Sequence, residues 1–92
     1  MEKVKARVRI EGLVQGVNYR YSTQQRALEL RVNGWVRNLA DGSVECLMEG
    51  ERDKVETLIR WCHQGPRGAR VKKVTTQWEE YTGDMQGFSI TY

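Results

Sequence analysis

The order of extended and helical segments, β-α-β-β-α-β with a short strand at the end, predicts an α+β fold. Three observations carry that reading: a two-residue alternation near each end of the chain, an Asp-Gly turn between two extended runs, and a helical apolar stripe after them. The expected architecture is an antiparallel sheet, four main strands plus a short C-terminal one, with two helices on one face.

The first strand alternates cleanly. Val4, Ala6, Val8 and Ile10 share one face, and Lys3, Lys5, Arg7, Arg9 and Glu11 share the other. The basic face reads as a solvated one. A glycine-containing turn follows, and then a helix from Tyr21 to about Leu30, with the apolar pattern Tyr21, Ala27, Leu28, Leu30. Ser22 with Gln25 three residues on fits a capping box at its start. Asn33-Gly34 is a turn signal that ends the segment. Trp35 to Leu39 reads as a short strand. Ala40-Asp41-Gly42-Ser43 is a hairpin connection, and Val44, Cys46 and Met48 alternate along the returning strand.

Glu51 to His63 is the stronger helix. Val55, Leu58, Ile59 and Cys62 form one apolar stripe, acidic residues lie near the start, and Gly65-Pro66 follows the end. From Ala69 to Glu80 the chain is extended, but Val71 and Val74 break the two-residue period, which places a bulge or bend at Lys72-Lys73. Tyr81 to Gln86 is a loop. Phe88, Ile90 and Tyr92 alternate in the terminal strand. This succession is the ferredoxin-like α/β sandwich, expected as a single domain over residues 1–92.

Composition narrows the function classes. Ten of the 15 cationic residues are arginines and the net charge is +3, a balance that suits an anionic ligand without requiring nucleic acid. No apolar run approaches the ~20 residues of a membrane span. The start, Met1-Glu2-Lys3-Val4-Lys5, has no apolar signal-peptide core. Cys46 and Cys62 are too few for a disulfide scaffold, and their separation excludes a C-x-x-C metal site. A reduced, cytoplasmic protein is expected. RNA-recognition domains share this strand and helix order, so a non-catalytic anion- or RNA-binding module is the alternative reading. The central strands lack the exposed aromatics that such domains stack on bases.

The most informative stretch is Gly12-Leu13-Val14-Gln15-Gly16-Val17-Asn18-Tyr19-Arg20. Two glycines and an asparagine, the residues that best tolerate positive φ, lie between a strand and a helix. Such a turn can direct successive N–H groups into one concavity. Arg20 then supplies a planar cation where the helix begins. Backbone donors, a helix N-terminus and a guanidinium together suit a phosphate or carboxylate.

That stretch resembles the G-x-V-Q-G-V-x-[FY]-R signature of acylphosphatases, and Gly34-Trp35-Val36-Arg37-Asn38 resembles the family's second motif. Asp41-Gly42-Ser43-Val44-Glu45, Gly65-Pro66, Ala69-Arg70-Val71 and the ending Gly87-Phe88-Ser89-Ile90 match as well, so the resemblance covers essentially the whole chain. It implies hydrolysis of the carboxyl-phosphate bond of small acyl phosphates, without metal or cofactor. Phosphate would rest on the backbone N–H groups of Gln15, Gly16, Val17, Asn18, Tyr19 and Arg20. The Arg20 guanidinium would grip its oxygens, and the Asn38 carboxamide would orient the attacking water. Inorganic phosphate would be both product and competitive inhibitor; a monomer is expected, with no membrane or nucleic-acid partner. Two positions depart from the family pattern. Asn18 replaces a glycine or aromatic, and Arg31 replaces a helix-ending glycine, where positive φ would cost about 1 kcal/mol.

Overall fold

A computed structural model describes residues 2–92. The elements are β1 (Lys3–Leu13), α1 (Tyr19–Leu30), β2 (Asn33–Asn38), β3 (Val44–Glu51), α2 (Arg52–Cys62), β4 (Arg70–Glu79) and β5 (Phe88–Thr91). The sheet order is β4-β1-β3-β2-β5. Both helices cover the same face, against the alternating core residues Ala6, Val8 and Ile10 of β1, Val36 of β2, and Val44, Cys46 and Met48 of β3.

The sheet is mixed, not purely antiparallel, because β5 runs parallel to β2. Strand parity forces this. β4 is antiparallel to β1, so the chain leaves β4 at the end of the sheet where β2 begins. The segment after β4 crosses to the far edge, and β5 must then run in the direction of β2.

Glu49 secures that crossing. Its side chain points to the face opposite the helices, yet the residue is only 1% exposed. One carboxylate oxygen accepts from the Thr82 amide at 3.0 Å, the Thr82 hydroxyl at 3.1 Å and the Gly83 amide at 2.9 Å. Burial pushes its pKa up, but the Gly83 and Thr82 donors outweigh burial and hold it below the ordinary glutamate value.

The two helices bury their faces differently. In α2, Val55, Leu58, Ile59 and Cys62 are buried as the stripe predicts. In α1 the buried residues are Tyr19, Thr23 and Ala27, while Tyr21 and Leu28, expected inside, are about half exposed at 53% and 49%. The small Ala27, and Thr23 with its hydroxyl donated to the Tyr19 carbonyl at 2.8 Å, let α1 sit close on the sheet. The helix also starts two residues before Tyr21. Asn18 precedes it in the left-handed conformation (φ 67°, ψ 24°), so Ser22 and Gln25 lie inside the helix and form no capping box.

Arg31 is left-handed too (φ 59°). Its amide donates to the Leu28 carbonyl at 3.2 Å and the Val32 amide to the Ala27 carbonyl at 2.9 Å, with Ala27 and Val32 both buried. These two bonds form a Schellman closure. Asn33-Gly34 is not a turn but the start of β2. Gly34 is required there because any Cβ would collide with the Leu47 carbonyl of β3. On β4 the bulge lies where expected: Glu11 pairs with Lys73 and Gly12 with Val71, leaving Lys72 as the extra residue.

Two stability predictions arise here. An acid whose pKa is depressed by folding contributes fully above its unfolded pKa, about 4.3 for glutamate, and loses that contribution as pH falls through the lower folded value. Glu49→Gln is therefore expected to cost about 2 kcal/mol at pH 7, with a smaller deficit at an acid pH below the carboxylate's lowered folded value. Urea unfolding of both proteins at the two pH values checks it, and a deficit independent of pH overturns it. Arg31→Gly is expected to raise stability by roughly 0.5 kcal/mol, left-handed strain relieved against glycine's extra unfolded entropy. A lower unfolding midpoint for that variant contradicts the strain assignment.

Candidate active site

The connection from β1 to α1 is built to expose donors. Val14, 1% exposed, anchors it in the core. Gly16 (φ 76°) and Asn18 (φ 67°) both take left-handed backbone, with Val17 between them packed against the core. At Gly16 a side chain would meet open space, so positive φ alone explains the glycine. The first amide of this region to find a protein acceptor is that of Ser22, which donates to the Asn18 carbonyl at 3.0 Å. Among the described residues, the N–H groups from Gln15 to Arg20 have no acceptor, and no side chain caps the helix. They form a run of free donors at a helix N-terminus, an arrangement that favours an anion.

The Arg20 guanidinium makes no ion pair or hydrogen bond among the described residues. Its Cζ lies 5.2 Å from the ring centre of Tyr92, the last residue, so the cation is held over an aromatic face without being neutralised. Asn38 ends β2, opposite Val44. Its Oδ1 is buried and has no hydrogen-bond partner. Such an acceptor is costly unless a donor from outside the chain reaches it.

Gly16, Asn18, Arg20, Asn38, Ile90 and Tyr92 line one depression of about 370 Å³. Two sequence motifs some twenty residues apart thus meet at one place, because β2 is two strands from β1 and both end on the same side of the sheet. Tyr19 also borders the depression, but its ring is buried and its hydroxyl donates to the Cys62 carbonyl at 2.7 Å. It offers the site only its amide. The side chains of Gln15 and Val17 do not line the depression.

Gln15 does something the sequence did not disclose. Its Nε2 donates to the Leu39 carbonyl at 2.8 Å and the Ser43 carbonyl at 2.9 Å. These carbonyls flank the Asp41-Gly42 turn, which is closed by the Leu39 amide on the Ser43 carbonyl at 2.8 Å and the Ser43 amide on Asp41 at 3.0 Å. One side chain therefore ties the donor loop to the hairpin that carries Asn38.

On the other face of the sheet, arginines are ion-paired. Arg7 bonds to Glu79 at 2.7 Å and Glu45 at 3.3 Å, Arg37 to Glu45 at 2.7 Å, and Arg9 to Asp41. Trp35 lies beneath Arg7 and Arg37, at 5.8 and 5.1 Å. Of the expected basic stripe, Arg7 and Arg9 are ion-paired, whereas Lys3 and Lys5 form no ion pair among the described residues.

A sequence model of the acylphosphatase family matches residues 6–90. The chain belongs to the acylphosphatase family. Among full-length relatives, an acylphosphatase of Pelotomaculum thermopropionicum is 48% identical over 92 residues, covering 100% of both chains. One of Thermococcus kodakarensis is 51% identical over 90 residues, 98% of each. The solved acylphosphatase structure from Coxiella burnetii superposes with a TM-score of 0.92 at 36% identity, over 97% of this chain and 93% of that one. The ferredoxin-like expectation is borne out, with β5 as the parallel addition. The binding-module alternative is not favoured by these relatives or by the paired sheet face.

The Gln15 tie yields a prediction. Gln15→Leu keeps the volume and removes both donated bonds. It is expected to lower kcat by about tenfold or more through misplacement of Asn38 against the loop, with a smaller change in inhibition by inorganic phosphate. Steady-state kinetics with phosphate as inhibitor, alongside the unfolding midpoint, tests it. A variant that loses stability while kcat stays unchanged rules out the positioning role.

Proposed function

We propose that this acylphosphatase hydrolyses the carboxyl-phosphate bond of small acyl phosphates at the depression between the β1–α1 loop and Asn38. The observation that carries the reading is the run of unpartnered N–H groups from Gln15 to Arg20, next to an unpaired guanidinium and an unpartnered carboxamide oxygen. The enzyme class itself rests on the family match and the full-length relatives.

Acyl phosphate chemistry suits such a site. The leaving group is a carboxylate, stable as an anion at neutral pH, so no general acid is required. What remains is to hold the phosphoryl group and spread its charge. The free amides do this without rearranging during the reaction, and each well-placed donor is worth about 3 kcal/mol. Arg20 adds a planar positive charge that can bond two phosphate oxygens at once. A water bound to the Asn38 carboxamide attacks phosphorus. The new P–O bond forms as the acyl P–O bond breaks, the electron pair leaves with the carboxylate, and the water's proton passes to a phosphate oxygen. Gln15, Gly16, Val17, Asn18, Tyr19 and Arg20 bind phosphate through their amides, and Arg20 and Asn38 act on the reacting atoms.

The product is a carboxylate and inorganic phosphate, and the latter, sharing the cradle, inhibits competitively. Among the described residues, no helix is long and apolar enough to cross a membrane. A cytoplasmic setting fits the two free, buried cysteines, and the chain acts as a monomer.

Phosphate release from acetyl phosphate is expected to persist in excess chelator; release no faster than buffer hydrolysis would remove the proposal. Arg20→Ala should lose both turnover and phosphate inhibition. Asn38→Ala should lose at least ~100-fold in kcat while phosphate still inhibits. Full activity in the Asn38 variant would refute its role with water.

A further inference from the structure

The acyl group must leave the phosphate depression in some direction. Tyr21 stands at its edge and lines a second depression of about 420 Å³, between α1 and the segment after α2. Among the described residues it alone lines both. Trp61, Pro66 and Tyr21 give the second cleft flat, apolar walls. Trp61 is fixed from behind by a tilted contact with the Tyr19 ring at 5.6 Å, so the wall is anchored to the residue that starts α1. The cleft's charge is also particular. Arg26 faces Glu29 at 4.0 Å, whereas Arg67 has no ion pair or hydrogen bond among the described residues. A free guanidinium therefore stands in a cleft whose other charges are matched.

We propose that this cleft is the acyl subsite, and that Tyr21, Trp61 and Arg67 select acyl phosphates whose acyl group is flat and carries a second carboxylate. The reading rests on the β1–α1 loop being the phosphate site. The phosphoryl group lies on the loop amides, the acyl carbons pass Tyr21 and stack in the cleft against Trp61 and Pro66, and the far carboxylate meets Arg67. Tyr21, about half exposed, presents its ring at the junction of the two depressions. Acetyl phosphate reaches only the first depression.

The test compares kcat/KM for acetyl phosphate, benzoyl phosphate and 4-carboxybenzoyl phosphate, with inorganic phosphate inhibition as a check on the loop. Wild type is expected to rank them in ascending order as written. Tyr21→Ala should lower the benzoyl-to-acetyl ratio by about tenfold. Arg67→Gln should abolish the advantage of 4-carboxybenzoyl over benzoyl phosphate, an advantage that added salt also weakens. Ratios unmoved by either substitution, with acetyl phosphate still hydrolysed, overturn the subsite and leave the phosphate site standing. No hydrolysis of any of the three by wild type overturns both.

Discussion

Left-handed backbone at Asn18 is the constraint on which the site depends. A residue in that conformation turns the chain into α1 without placing a side-chain oxygen over the first amides. A helix that began in the usual way, with a serine or aspartate accepting from its first turn, would satisfy its own donors and have nothing to offer a ligand. Here Gly16 and Asn18 curl the backbone so that successive amides stay free, and the core contacts of Val14, Val17 and Tyr19 hold that curl in place. Packing holds one side of the loop, and the amides on the other side stay free among the described residues.

The hairpin after β2 completes the arrangement because it is tied, not merely adjacent. Sheet order brings β2 within two strands of β1, but strand spacing alone does not orient a carboxamide. Gln15 adds a direct tie, bonding to both stems of the turn that follows Asn38. On the opposite sheet face, ion pairs join Arg7 and Arg37 to Glu45 and Glu79, and Glu49 fastens the crossing that lets β5 reach the far edge. That crossing in turn brings Tyr92 to Arg20.

Much of this was legible in the sequence, for identifiable reasons. Alternation in β1 and the stripe in α2 reflect burial against one face, which a period records directly. The Asp41-Gly42 turn and the Lys72 bulge leave local chemical marks. Arg20, Asn38 and the loop amides were visible because their motifs are contiguous. What escaped depends on partners remote in sequence. Ser22 and Gln25 look like a capping box until Asn18 is known to be left-handed. Gly34 looks like a turn until β3 is brought against it. The parallel β5 follows from sheet parity, and the grip of Gln15 on two carbonyls has no signature in its neighbours.

The two cysteines carry a last implication. Cys46 lies in the middle of β3 and Cys62 at the end of α2, and both are 0% exposed. Burial pushes the Cys62 thiol up to about 12 and Cys46 well above its ordinary value, so neither is a thiolate near neutrality. An alkylating reagent can reach them only through transient opening of the molecule. The native chain thus contains two silent reporters, one in the sheet and one in a helix, whose labelling rates distinguish fraying of α2 from collapse of the whole interior.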